Sequence, residues 1–333
     1  MSNRLHQQSF TMDDIARELG ISKSTVSRAL AGSKRISAET RVRVEECAHR
    51  NGFIPNLAAK ALAKQLTLNI AAVMPSEATN VEMMFFHECL NGMVAKSAAS
   101  DYSVLVCMDG AAGGSLLAKV VSNRKVDGVV LMQFRRGDEN IEFLRKSGIP
   151  FVVIGSGVKD GLVCVDSRMT ESCARFTAEC VRRCDLVERG RVLFVCGSLD
   201  IEANNNRLLG FLGGMEKTCS DDVQYAICTY LDDMDTSVFD NHWNLILCSD
   251  DVVCVRVLSV LKAIGIEAGR DVRIASFHDS VLLASNDPPV SALKVDAFGL
   301  GERAAETALR MISGDDVEEC TFVGCSFEFR GTA

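Results

Sequence analysis

Several features are missing from this 333-residue chain, and each absence narrows what it can do. No run of about 18 consecutive apolar residues occurs, so no membrane-spanning helix is expected. The first ten residues, MSNRLHQQSF, lack the apolar core of a secretory signal, which points to a cytoplasmic protein. The chain has 14 cysteines but no C-x-x-C pair. The tightest spacings, Cys180/Cys184 and Cys320/Cys325, have no histidine at ligand spacing, so no metal site is expected. Most cysteines sit inside apolar runs such as VLVC, LFVC and LILC, where the residue behaves as a small buried hydrophobe. The glycine pairs Gly113-Gly114 and Gly213-Gly214 do not form G-x-G-x-x-G after a strand, and there is no G-x-x-x-x-G-K-[ST]. The five histidines pair with no nucleophile in a local signature. These absences argue against an enzyme and imply no cofactor.

Charge is unevenly distributed. The chain totals −8, but residues 1–64 carry +5 and the remainder −13. A basic head on an acidic body suits nucleic-acid binding by one end. Residues 11–52 read as three short helices. Thr11 with Asp14 caps the first, which Gly20 ends; Ser22 caps a second over Lys23–Ala31, stopped by Gly32; Ser37 starts a third that reaches Asn51. Ile15, Leu19, Ile21, Val26, Leu30, Val42 and Val44 or Cys47 recur at helical spacing as the expected core. Helix, tight Gly-Ile turn, helix is the helix-turn-helix layout. With Val26, Ala29 and Leu30 inward, Lys23, Ser24, Ser27 and Arg28 face outward. Slim polar residues and a basic group at that position suit a helix lying in a DNA major groove, where Thr25 and Ser27 can bond phosphate. After Pro55, which cannot continue a helix, the stretch NLAAKALA makes a helix too short to be stable alone.

The run TMDDIARELGISKSTVSRALAG, the following IPN-x-x-A-x-x-L and the body behind them resemble the lactose-repressor/galactose-repressor (LacI/GalR) family of bacterial transcription regulators. That resemblance implies a DNA-contacting set of Thr11, Ser22, Lys23, Ser24, Thr25, Ser27, Arg28, Lys34, Arg35, Asn56, Ala59, Leu62 and Ala63. It makes Leu62 the side chain inserted at a central base step of the minor groove. It also implies a head at 1–54, a hinge at 55–67 and an effector-binding, dimerising body at 68–333.

In the body, LNIAAVM, YSVLVCM, DGVVLMQ and FVVIG alternate with helical stretches, and RVLFVCG, QYAICTY, LILCS and DVRIASF form a second series. The expected fold class is α/β: an all-α helix-turn-helix head, then a periplasmic-binding-protein-like body of two doubly wound subdomains. By resemblance the first covers 68–166 and 296–321, the second 167–295 and 322–331.

Ligands in such folds sit beyond the carboxyl ends of the strands. Arg207 in NNNRLLGF matches the family's R-L-x-G-F arginine, implied to hold effector hydroxyls or anionic groups. Asp250 and His278 stand where the family usually shows an asparagine and an aspartate, so a plain hexose held by the standard contacts is not expected. Phe86 sits where some members stack an aromatic on the ligand. IASFHDSVLLAS is locally similar to the fructose-type branch that senses phosphorylated sugars, a candidate effector class beside other small metabolites. The reading is a homodimeric operator-binding regulator, a repressor, switched by an effector. Two other readings stay open: a thiol-responsive regulator, and a metabolite-binding module without a switch.

Overall fold

A computed structural model describes residues 10–30, 32–33, 35–53, 61–62, 64–76, 82–109, 116–156, 161–229 and 236–333. The chain divides into two compact units, residues 1–65 and 66–333.

The head holds α1 (Met12–Leu19), α2 (Lys23–Leu30) and α3 (Ala38–Arg50). Thr11 and Asp14 form a reciprocal capping box: the Asp14 N–H donates to Thr11 Oγ1 at 3.3 Å, and the Thr11 N–H donates to Asp14 Oδ2 at 3.0 Å. Gly20 closes α1 with φ 66°, a left-handed conformation that glycine adopts without a Cβ clash. Ser22 receives the Thr25 N–H at 3.1 Å and starts α2. Ile15, Val26, Ala29, Val44, Cys47 and Ala48 form the buried core, flanked by half-buried Leu19, Ile21 and Leu30. Val42 departs from expectation, being 50% exposed. Successive residues of a helix turn by about 100°. Val44, Cys47 and Ala48 therefore share one face, and Val42 lies nearly opposite. The third helix also ends at Arg50, with Asn51 as its cap.

The second unit contains two six-stranded sheets, ordered β11-β5-β4-β3-β1-β2 and β12-β10-β9-β8-β6-β7. The first uses β1 (Asn69–Pro75), β2 (Ser103–Asp109), β3 (Gly128–Leu131), β4 (Phe151–Ile154), β5 (Cys164–Asp166) and β11 (Cys320–Phe322). The second uses β6 (Gly190–Cys196), β7 (Val223–Thr229), β8 (Leu245–Cys248), β9 (Arg273–Ser276), β10 (Ser291–Val295) and β12 (Cys325–Glu328). All pairings are parallel except β10 with β12. The helices are α4 (Glu82–Ala98), α5 (Leu116–Ser122), α6 (Glu139–Ser147), α7 (Met169–Arg183), α8 (Glu202–Thr218), α9 (Asp251–Ala263), α10 (Val281–Ala284) and α11 (Ala297–Ser313).

Parallel strands covered by helices on both faces lose the polar/apolar alternation of a half-exposed strand. Accordingly β3 and β8 are buried along their whole length. The chain passes between the sheets three times, after β5, after β10 and after β11. These crossings place the carboxyl ends of both strand sets around one cleft.

Candidate functional site

The outward face of the head is built by α2. Lys23, Ser24, Ser27 and Arg28 are exposed, and Thr25 is half-buried with its hydroxyl 2.8 Å from that of Ser22. Lys23 Nζ is 2.7 Å from Asp13 Oδ2, so the first basic group of the helix is anchored by an acid on α1. Arg28 is left as the cation further along the helix. Thr11, Ser22 and Arg35 are exposed as well. Leu62 is 82% exposed, a bulky aliphatic side chain with almost no cover. Lys34, Asn56, Ala59 and Ala63 lie outside the described residues.

The cleft of the body is assembled from strand ends. Met132–Phe134 follow β3, Gly155 and Ser156 follow β4, and Asp166 closes β5; from the second sheet come Asn204 and Arg207 after β6, Asp250 and Asp251 after β8, and His278 after β9. Phe85 and Phe86 enter from α4. The four expected effector residues, Phe86, Arg207, Asp250 and His278, therefore line one cavity.

Their partners define what each can do. Arg207 is 13% exposed, donates through Nη1 to Asn204 Oδ1 at 2.9 Å and lies 3.5 Å from Asp250 Oδ2. Among the described residues its buried Nε has no hydrogen-bond partner, and an unmet buried donor is costly. Asp250 caps α9, accepting the Val253 N–H at 2.9 Å on Oδ1, while Ser249 Oγ donates to its Oδ2 at 2.8 Å. Most of its acceptor capacity is thus used within the protein.

Two acids were not anticipated from the sequence. Asp251 is buried and lies 3.2 Å from His278 Nδ1. Burial pushes its carboxyl up, but the hydrogen bond from His278 and the charges of His278 and Arg207 outweigh that and hold it below its ordinary value. Asp166 is 6% exposed, and its Oδ2 accepts the Met169 N–H at 3.3 Å. Burial pushes its carboxyl above the ordinary value, opposed only by backbone hydrogen bonds from Met169, Ser167 and Arg168. The aromatic beside the polar groups is Phe85, whose ring meets His278 edge-on at 5.4 Å; Phe86 is packed into the core behind it.

Beside this cleft the two halves of the body touch. The Arg136 N–H donates to Asp200 O at 3.2 Å and the Glu202 N–H to Phe134 O at 3.3 Å, with Arg136 Nε 3.5 Å from the Glu202 carboxylate.

The cysteines offer little reactivity. Nine of the fourteen are buried and none forms a disulfide. Burial pushes the Cys89, Cys173, Cys180 and Cys248 thiols up, and Cys196 to about 11. The thiolate is the reactive species, so this arrangement gives thiol sensing no support. Among the described residues no histidine, cysteine or carboxylate cluster is arranged to hold a metal, and no helix is long and apolar enough to cross a membrane.

Comparison with known proteins agrees with this geometry. Residues 11–56 match the model for bacterial regulatory proteins of the lacI family, and residues 186–332 match the periplasmic-binding-protein-like domain. The chain is 26% identical over 318 residues to the HTH-type transcriptional regulator MalR of Staphylococcus xylosus, covering 92% of this chain and 93% of that protein. It is 24% identical over 336 residues to catabolite control protein A of Staphylococcus aureus, with 97% and 98% covered. In fold it is similar to the lac repressor dimer bound to operator and the anti-inducer ONPF (TM-score 0.70, 18% identity, 97% of this chain and 99% of that one). It is similar also to a complex of the regulator CelR with cellobiose (TM-score 0.68, 20% identity, 97% and 99%). The chain thus joins a lacI-family DNA-binding head to a periplasmic-binding-protein-like domain, and is similar over nearly its whole length to bacterial transcriptional regulators of that type.

Proposed function

We propose that the protein is a homodimeric repressor that reads a pseudo-palindromic operator and is switched by a sugar-class effector in the body's cleft. The observation that carries this reading is the polar, cation-bearing face of α2 on a small capped head, in one chain with a cleft lined by Arg207, Asp250 and His278. One head can make about three base contacts, each giving about 1–3 kcal/mol of discrimination. That is too little to select a site in a genome, so two heads related by a two-fold axis are required.

The body offers a surface for the second copy. The edge strands β2 and β7 expose Val106, Met108, Tyr225 and Ile227, each more than 40% accessible. Exposed apolar residues at both sheet edges suit burial against another chain. Support for the ligand class comes from the CelR–cellobiose complex, and for operator binding as a dimer from the lac repressor. Effector binding would act on the contacts between Phe134–Arg136 and Asp200–Glu202, making or breaking them as the cleft closes or opens. Coupling is reciprocal, so operator binding must change effector affinity by the same factor.

The test is selection of operator fragments from random duplex by the full-length protein, followed by titration of the selected complex with a panel of sugars. Recovery of a two-fold-symmetric motif and its release by one of the sugars is the expected result; no enrichment over bulk DNA would sink the reading. Within this assay Arg28→Ala should weaken operator binding about tenfold to a hundredfold, matching loss of one base contact, while random-duplex binding changes about threefold or less. Equal losses on both would place Arg28 on the phosphate backbone. Leu62→Ala should reduce operator bending, read by permuted-fragment mobility shift, and leave the dimer intact by light scattering. Unchanged bending would remove Leu62 from the base stack.

A further inference from the structure

The polar lining of the cleft has more negative than positive charge. Among the described residues, four carboxylates, those of Asp166, Glu202, Asp250 and Asp251, line it with one guanidinium, Arg207, and one imidazole, His278. Two of the four have a cationic neighbour, Asp250 with Arg207 at 3.5 Å and Glu202 with Arg136 at 3.5 Å, and Asp251 has the His278 imidazole at 3.2 Å. Asp166 is different. It is 6% exposed and is held by backbone N–H groups at the start of α7; among the described residues no side-chain cation pairs with it. A buried carboxylate without a counter-charge is costly, and a charged group is retained inside a protein when something compensates it. Arg207 contributes the cleft's guanidinium, 13% exposed beside Asp250. Arg207 and Asp166 line the same cleft.

We infer that the cleft takes a ligand carrying both a protonated amine and hydroxyl oxygens, an amino sugar or a closely related aminated polyol, with its ammonium group on Asp166 and an oxygen on the Arg207 guanidinium. This rests on the cleft being the effector site and narrows the sugar class proposed above. A phosphorylated sugar is disfavoured, because its dianion would meet the surplus of carboxylates with, among the described residues, Arg207 alone as a lining guanidinium or ammonium, already faced by Asp250. A neutral sugar could hydrogen-bond Asp166 but would leave its charge uncompensated. The ring of the ligand has Phe85 and Phe134 as an apolar wall. Burial already pushes the Asp166 carboxyl up, and a neighbouring ammonium would oppose that shift.

Asp166→Asn isolates the charge, because asparagine caps a helix about as well as aspartate and the fold need not suffer. Calorimetric titration of the full-length protein would compare glucosamine, galactosamine, mannosamine and the glucosamine disaccharide with their hydroxyl counterparts and with the 6-phosphates of the hexoses. The expected result is at least tenfold tighter binding of one amine than of its hydroxyl counterpart. In Asp166→Asn that preference should fall to twofold or less, the amine losing more affinity than its hydroxyl counterpart. A neutral or phosphorylated sugar that binds as tightly as its amine overturns the inference while leaving a sugar-switched regulator standing. An amine preference that survives Asp166→Asn overturns it too. If no sugar of any class binds, the cleft reading and the inference fall together.

Discussion

Gly301→Ala is expected to lower the apparent melting temperature of the body by about 6 °C or more, read by circular dichroism, although alanine is the better helix former. The reason is a reciprocal close approach of α4 and α11. A Cβ on Gly301 would overlap the backbone carbonyl of Cys89, and one on Gly92 would overlap the Phe298 carbonyl and sit 2.8 Å from the Glu302 N. Backbone cannot swing aside as a long side chain can, so the two helices must separate. Ala304, Ala305 and Ala308 on the same helix are wholly buried, and they would lose contact together. Overpacking of this kind typically costs about 1–3 kcal/mol, and a backbone clash lies at the upper end. For a body of this size each kcal/mol moves the transition by about 2–4 °C. Gly213→Ala is the matched control. Gly213 also lies inside a helix, α8, but nothing stands within 4 Å of its added Cβ. There the higher helix propensity of alanine should act unopposed and stabilise by about 0.5–1 kcal/mol. Loss at 301 with gain at 213 would locate the effect in the helix contact; equal responses would deny the close approach.

That contrast also shows where sequence reading stops. The long parallel strands are legible because helices cover both faces, leaving uninterrupted apolar runs such as LILC and GVVL. The head is legible because caps are local: Thr11, Gly20, Ser22 and Ser37 act within a few residues of themselves. Gly213 and Gly214 look alike in sequence, and only packing separates them, since a Cβ on Gly214 would sit 2.6 Å from the Ala174 carbonyl of α7 while Gly213 faces open space. The three-residue strands β5 and β11 are too short to show a pattern, and their pairing joins residues more than 150 positions apart. Asp166 and Asp251 were missed for the same reason. Their significance depends on β5 and β8 ending at one cleft, and nothing near Asp251 in sequence announces His278 as its partner. For the aromatics, the family position indicates Phe86, but neighbours on a helix point about 100° apart, and it is Phe85 whose ring reaches His278.

Arg207→Ala should abolish the effector response while leaving operator affinity without ligand within about twofold of wild type. Arg207 belongs to the 66–333 unit and the DNA-reading face to the 1–65 unit, so the substitution removes no DNA contact. Within the cleft its effects are specific. It takes away the cation opposite Asp250 and the donor held by Asn204. Asp250 keeps its hydrogen bonds from the Val253 N–H and Ser249, so α9 stays capped and the fold should persist. Effector coupling in allosteric proteins typically spans about 5–150-fold in affinity. With wild type responding in that range, fluorescence anisotropy of labelled operator, with the best-binding sugar present or absent, should show a ratio near one for the variant. Arg207→Lys should recover little, because an ammonium has no planar fork and cannot both remain near Asp250 and Asn204 and present a second fixed donor to a ligand. An Arg207→Ala protein that still released operator on ligand addition would move the effector site out of this cleft. The Asp166 argument would then fail as well, since both residues are assigned to the same bound molecule.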